Sequence, residues 1–308
     1  MKLATFIDPN SYDQRLGVVR QSGIVDICSA AHLLNQAVPA TTVMDALCSG
    51  PATLAAVDEL AKNGEQRGLA LDPENLVLLS PIPEPSKFLC IGKNNRKHRE
   101  ELKANAMLNE MPDEPTGFVK IHSTICGQDA KIERPEGISM LDYEPELVFV
   151  ITKRAHRVAK ANAMEHVGAI TLFNDVSARE IQKREVASGT RFWTAKNMPN
   201  FSPTGPYAVT LDEINDPDDL WVTCDVNGER RLRENTSDYI YKIDDIIEHF
   251  SRFMPLEAGD LVAMGAPKGV AVGQPNADEL YLKPGDRMEI SIEGLMSLRS
   301  TIVAPAQN

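Results

Sequence analysis

The stretch Met140–Ile151, MLDYEPELVFVI, limits the fold more than any other part of the chain. From Leu147 to Ile151 every position is apolar, the pattern of a strand covered on both faces. Yet Glu144 and Glu146 sit at its start, one residue apart. On a strand, residues i and i+2 point to the same side, with Cα atoms roughly 6.5 Å apart. Val148 and Val150 continue the glutamate face, and Leu147, Phe149 and Ile151 fill the other. Carboxylates are rarely buried without partners, and two so close repel strongly in a dry site. A divalent cation held between them would resolve the conflict, because hard cations prefer carboxylate oxygens. Asp175, at the end of the apolar run GAITLFN and the start of a helix, is the candidate third ligand. On pattern alone, an exposed edge strand with Asp175 as a helix cap accounts for these residues equally well.

Two further constellations carry chemistry. In KNNRKHREEL, a helix from Lys97 onward would set His98 and Glu101 on one face at i and i+3. A carboxylate against an imidazole orients it and raises its basicity, which suits a general base. A solvated helix face explains the same residues, since Lys97, Arg99 and Glu100 are charged too. Lys196 follows Phe192 and Trp193 and precedes a Pro- and Gly-rich loop. Lysine beside aromatic bulk serves either as a desolvated electrostatic catalyst or as an ordinary loop residue.

Whole-chain properties exclude several classes. With 308 residues the chain is too long for one small core. A net charge of -12 argues against nucleic-acid binding, which needs a basic face. The five cysteines fall in no metal or redox spacing and read as reduced thiols of a cytoplasmic protein. No apolar run is long enough to span a membrane, the N-terminus does not read as a signal peptide, and no Gly-rich phosphate loop occurs.

The first eighty residues read as a small α/β domain, with strand-like runs KLATFI, RLGVVR and GIVDIC and two helical stretches. The proline-rich LLSPIPEPSK marks a boundary, giving domains 1–80 and 81–308. Beyond it, short strands expected at 88–91, 117–121, 144–151, 168–173, 205–209, 220–226, 260–263 and 288–292 outnumber helices expected at 97–107, 161–166, 176–186 and 243–252. This texture predicts an α+β, mostly β, rolled structure and not a doubly wound sheet.

Six ordered segments resemble the fumarylacetoacetate hydrolase (FAH) family in its long form: FLCIGKNNRKHREE, LDYEPELVFVITKRAHRV, GAITLFNDVSAREIQ, WTAKNMPNFSPTGPYAV, LEAGDLVAMGAPKGV and LKPGDRMEISIEGLMSL. They run from about residue 85 to 303, more than two-thirds of the chain. The resemblance implies a mixed β-sandwich roll, a homodimer, and a Mg²⁺ or Mn²⁺ site on Glu144, Glu146 and Asp175. It assigns Lys196 as the active-site lysine, His98 and Glu101 as the His–Glu pair of a lid over residues 94–117, and Arg179 and Gln182 as substrate contacts. Asn95 stands where the family has Tyr, Ala266 where it has Thr, and Lys93 and Asn197 also depart.

The implied reaction is hydrolysis of a C–C bond in a 2,4-dioxo acid such as an acylpyruvate, as in aromatic-compound catabolism. His98 would activate water, and Lys196 and Gln182 would stabilise the oxyanion. The same site chemistry serves decarboxylation or isomerisation of oxaloacetate-like or 2-hydroxyhepta-2,4-diene-1,7-dioate-like acids. The retained His–Glu pair points to the hydrolase. A catalytically inert metal-binding protein is the alternative of a different class.

Overall fold

The computed structural model describes residues 1–100 and 113–306 in full and the backbone of 101–104. Among the described residues, the largest sheet has twelve strands. Ten of them run edge to edge as Ala70–Leu71, Gly23–Asp26, Gln14–Arg20, Lys2–Ile7, Ser202–Thr210, Val167–Asn174, Pro145–Ile151, Leu261–Ala263, Phe88–Gly92 and Thr116–Lys120. Val77–Leu78 and Ile125–Cys126 pair off this path. A five-stranded sheet orders Glu229–Asn235, Trp221–Val226, Arg287–Ile292, Met296–Val303 and Ala130–Glu133. Most pairings are antiparallel, but Leu261–Ala263 runs parallel to Phe88–Gly92, Met296–Val303 parallel to Ala130–Glu133, and Ser202–Thr210 parallel to Ile125–Cys126. The expected mixed-sheet α+β architecture is therefore present. No helix among the described residues is long and apolar enough to cross a membrane.

Two cores lie on opposite faces of the large sheet, and strand alternation decides which residue enters which. Val148 and Val150 join Phe88, Cys90 and Ala263 in a core shared with the N-terminal helices Ile27–Leu33, Val43–Cys48 and Pro51–Gln66. Leu147, Phe149 and Ile151 join Leu89, Ile91 and the inner side chains of the five-stranded sheet. A strand covered on both faces can be apolar throughout. Phe88 and Phe173 pack ring to ring, with centroids 4.7 Å apart, linking two strands of the sheet that are not themselves neighbours. Lys2–Ile7 pairs with Ser202–Thr210, so the sheet continues from the first residues into the later chain.

Several expected boundaries move. The helix expected from Val176 begins at Arg179, because Ser177–Ala178 first pairs with Leu141–Asp142 as a short ladder. The segment Lys160–His166 is a 3₁₀ helix. Glu229–Asn235 and Met296–Val303 are strands that the sequence reading omitted; the first is charged and polar with only Leu232 buried, and the second alternates buried and half-exposed residues.

Phe149 is fully buried at the centre of this arrangement. Phe149→Ala is expected to lower stability by about 3–5 kcal/mol, which a urea unfolding series measures.

Candidate active site

Strand register builds the site. Pro145–Ile151 and Val167–Asn174 are antiparallel neighbours, with Pro145 opposite Asn174 and Glu146 opposite Phe173. The pairing extends one step beyond the ladder: the Asp175 N–H donates to the Glu144 carbonyl at 2.8 Å. The Glu144 N–H donates to Asn174 Oδ1 at 2.9 Å. Glu144 and Asp175 thus face each other across the strand ends, and Glu146 lies one pleat further along. All three are buried, and one oxygen from each lies within 4.8 Å of the others. An all-oxygen set of this compactness fits a hard divalent cation.

Three buried cations surround the acids. Lys196 Nζ donates to Glu144 Oε2 and Asp175 Oδ2, both at 2.5 Å. Lys120 Nζ donates to Asp175 Oδ1 at 2.8 Å, and also to the carbonyls of Lys196 and Phe201. Arg179 donates from Nη2 to Glu144 Oε1 at 2.6 Å, from Nε to Asp142 Oδ2 at 2.8 Å, and from Nη1 to Gln182 Oε1 at 2.9 Å. Asp142 in turn accepts the backbone N–H groups of Tyr143, Ala271 and Val272. Its carboxylate therefore fixes both the guanidinium and the 271–272 loop. Glu146 is different: Oε2 accepts the Gly265 N–H at 2.8 Å, and no cation pairs with it among the described residues. Gly265 has φ +97°, and a Cβ there would lie 2.8 Å from the Ile91 carbonyl, so only glycine brings this N–H in.

The ionisation pattern follows. Burial pushes the Glu144 carboxyl up, but Arg179 and Lys196 outweigh it and hold it well below the ordinary range. Glu146 goes the other way: burial, then the charges of Asp175 and Glu144, raise it well above its usual value. Burial disfavours the Lys196 ammonium, yet Asp175 and Glu144 overcome this and keep it more firmly protonated than a free lysine. Phe118 and Phe192 flank that ammonium, with ring centroids 5.2 and 5.8 Å away.

The structure brings together Glu144, Glu146, Asp175, Lys196, Arg179 and Gln182. His98, on the helix Arg96–Ala104, is buried, and its charge acts on Glu144. The Glu101 side chain lies outside the described residues, as do residues 105–112 of the expected lid, so the His98–Glu101 pair carries forward as a proposal. Lys120 and Asp142 were missed by the sequence reading, although both carried a signal. Phe118 and Lys120 are i and i+2 on one strand, and Asp142 extends the alternation Asp142, Glu144, Glu146.

The profile of the family described as fumarylacetoacetate (FAA) hydrolase C-terminal matches residues 87–303. The chain belongs to the fumarylacetoacetate hydrolase family. Within this family, it is 35% identical over 268 residues to the oxaloacetate tautomerase YisK of Bacillus subtilis, covering 85% of this chain and 86% of that one. A 5-carboxymethyl-2-hydroxymuconate delta-isomerase from Mycobacterium smegmatis superposes with a TM-score of 0.72 and 26% identity, over the full length of both chains. The maleylpyruvate hydrolase of Sphingobium sp. SYK-6, solved with manganese(II) and pyruvate, gives a TM-score of 0.75 and 25% identity, covering 99% of this chain and 100% of that one.

Two substitutions test the charge arrangement. Lys120→Met strands the buried Asp175 oxygen and is expected to cost about 3–5 kcal/mol, read by urea unfolding of the metal-free protein. Glu146→Gln removes the acid without a cation. A raised carboxyl binds its proton more tightly in the folded state, so the metal-free protein loses stability as pH climbs from the ordinary 4.5 through the elevated range. Glu146→Gln should flatten that loss in thermal melts between pH 5 and neutrality and abolish Mn²⁺ binding in calorimetry.

Proposed function

We propose that this protein is a divalent-metal-dependent tautomerase of oxaloacetate-like 2-oxo acids, using Mg²⁺ or Mn²⁺ on Glu144, Glu146 and Asp175. Of the two readings drawn from the sequence, the tautomerase and isomerase relatives favour isomerisation over C–C hydrolysis. The observation that carries the reading is the Lys196 ammonium, dry and protonated, on two of the three carboxylates that fit the cation.

When bound, the cation supplies Lewis-acid polarisation of the 2-oxo group. The chain's own residues do the rest. Lys196 Nζ places a fixed positive charge and a hydrogen-bond donor beside the oxygen that gains electron density, and Gln182 adds a neutral donor. His98 is the group that exchanges the proton at C3, with Glu101 orienting its imidazole. In the keto-to-enol direction, the C3–H pair becomes the C2=C3 bond. The carbonyl π pair moves to O2, which takes a proton from solvent, while His98 holds the proton taken from C3 and passes it on to solvent. The reverse direction returns a proton from His98 to C3. Arg179 and Asp142 hold Glu144 in place and touch no reacting atom.

Hydrolysis of an acylpyruvate is the second reading, favoured by the likeness to a hydrolase that holds manganese and pyruvate. The test follows enol oxaloacetate by ultraviolet absorbance and NMR with Mg²⁺ or Mn²⁺, beside acetylpyruvate and fumarylpyruvate. The expected result is accelerated enol–keto exchange without pyruvate release, with Lys196→Met lowering kcat roughly 100-fold or more. Pyruvate production, with exchange at the buffer rate, would replace tautomerisation with cleavage.

A further inference from the structure

Asn95 is 1% exposed, and its amide nitrogen Nδ2 has no hydrogen-bond partner among the described residues. Burying a donor unpaired is costly, and native interiors rarely leave one so. The other end of the same amide is fixed: Oδ1 accepts the His98 N–H at 3.0 Å, capping the helix Arg96–Ala104. With Oδ1 committed to the cap, Nδ2 cannot swing to another partner without releasing the helix.

Asn95 connects to the carboxylate site through its chain neighbours and its bridge partner. His98, three residues on, acts electrostatically on Glu144. Asn94, the residue before, donates from Nδ2 to the Met264 carbonyl at 3.0 Å, and the next residue, Gly265, donates its N–H to Glu146. The Asn95 backbone bridges to Tyr239, a buried residue whose phenol lies within the field of Glu146. The free amide is thus bracketed by residues tied to two of the three candidate metal ligands.

We infer that Asn95 Nδ2 is a substrate-reading donor: it receives an acceptor oxygen, carboxylate or carbonyl, of a bound 2-oxo acid. A neutral donor adds what the site otherwise lacks, because every nitrogen of the Arg179 guanidinium on Glu144 is engaged by protein acceptors. The inference rests on the tautomerase reading for the identity of the substrate and deepens it by naming a residue that selects substrates. The apparent orphan is then an unpaired group only in the absence of ligand. A site built to pair a substrate oxygen also discriminates against analogues lacking that oxygen.

The test separates the amide's two ends. Thr and Asp both cap helices through a side-chain oxygen, so Asn95→Thr and Asn95→Asp keep the acceptor for the His98 N–H. Neither keeps the amide donor, and Asp presents an oxygen in its place. Calorimetry on the Mn²⁺-loaded protein, with oxalate and oxaloacetate as probes, reads binding directly. Thermal melts and Mn²⁺ titrations check that both variants remain folded and metal-competent. The expected result is about tenfold weaker binding for Asn95→Thr and a larger loss for Asn95→Asp, with KM rising more than kcat falls. If both variants bind the probes as the unaltered protein does, Asn95 is only a helix cap and the inference is overturned. If the unaltered protein binds neither probe, the tautomerase reading itself fails, and this inference with it.

Discussion

Four carboxylates in one dry volume set the terms for this fold. Asp142, Glu144, Glu146 and Asp175 are all within 5% of complete burial, and Lys120, Arg179 and Lys196 are the cations against them. Moving any one such ion out of water costs far more than a whole domain's net stability unless partners replace its hydration. The partners come from separate elements: an edge-proximal strand, a helix and a 3₁₀ turn. The centre is therefore satisfied only when distant parts of the chain have closed on it. With four acids and three bases, one carboxyl is left without a cation: Glu146, which has only a backbone N–H and holds its proton more tightly for that reason. A divalent cation that takes the place of that proton supplies the missing positive charge, which favours it here beyond the mere proximity of three oxygens.

The same arrangement divides the residues into those that hold the site and those open to a ligand. The family resemblance implies that Arg179 is a substrate contact. In the structure its three nitrogens donate to Asp142, Glu144 and Gln182, and Asp142 is itself fixed by the backbone of residues 271 and 272. The guanidinium therefore sets the Glu144 carboxylate in one orientation. Rigid support of this kind keeps acidic ligands in a productive geometry. Lys196 differs because its short contacts are to the carboxylates that would also face a cation, so its charge lies at the reacting end of the site.

The part of this plan that was legible in the sequence was the part carried by local spacing. Glu144 and Glu146 announced themselves through period-two alternation inside an apolar run, and Asp175 through its place at a strand end. Their meeting depends on hairpin register, which places Glu144 opposite Asp175. Lys120 was not legible because a lysine ending the run GFVK looks like a solvated strand terminus. Only the return of residues 196–201 over it makes it an interior ion. Asp142 was obscured in the same way, since its four partners come from residues 143, 179, 271 and 272. The helix start at Arg179 depended on the Ser177–Ala178 ladder with Leu141–Asp142, a contact between segments thirty-odd residues apart. Local propensity cannot see a pairing of that separation.

Chemistry narrows the function further than the fold does, since one fold hosts several reactions. Hydrolytic cleavage asks for a held water, a base to activate it, and a departing carbon fragment protonated in turn. Tautomerisation asks only that one proton pass between a carbon and an oxygen while charge at that oxygen is stabilised. The site described here is rich in the second set of requirements: a protonated, immobilised Lys196 beside the carboxylates, Gln182 held against Arg179, and a buried imidazole at His98. On the tautomerase reading, the sign of the charge near the substrate is already fixed by Lys196 and the candidate cation. What distinguishes one 2-oxo acid from another must then come from neutral donors, whose strength depends on geometry more than on charge. Substrate selection in such a site is expected to be set by amides at its rim, and chemical competence by the ions at its floor.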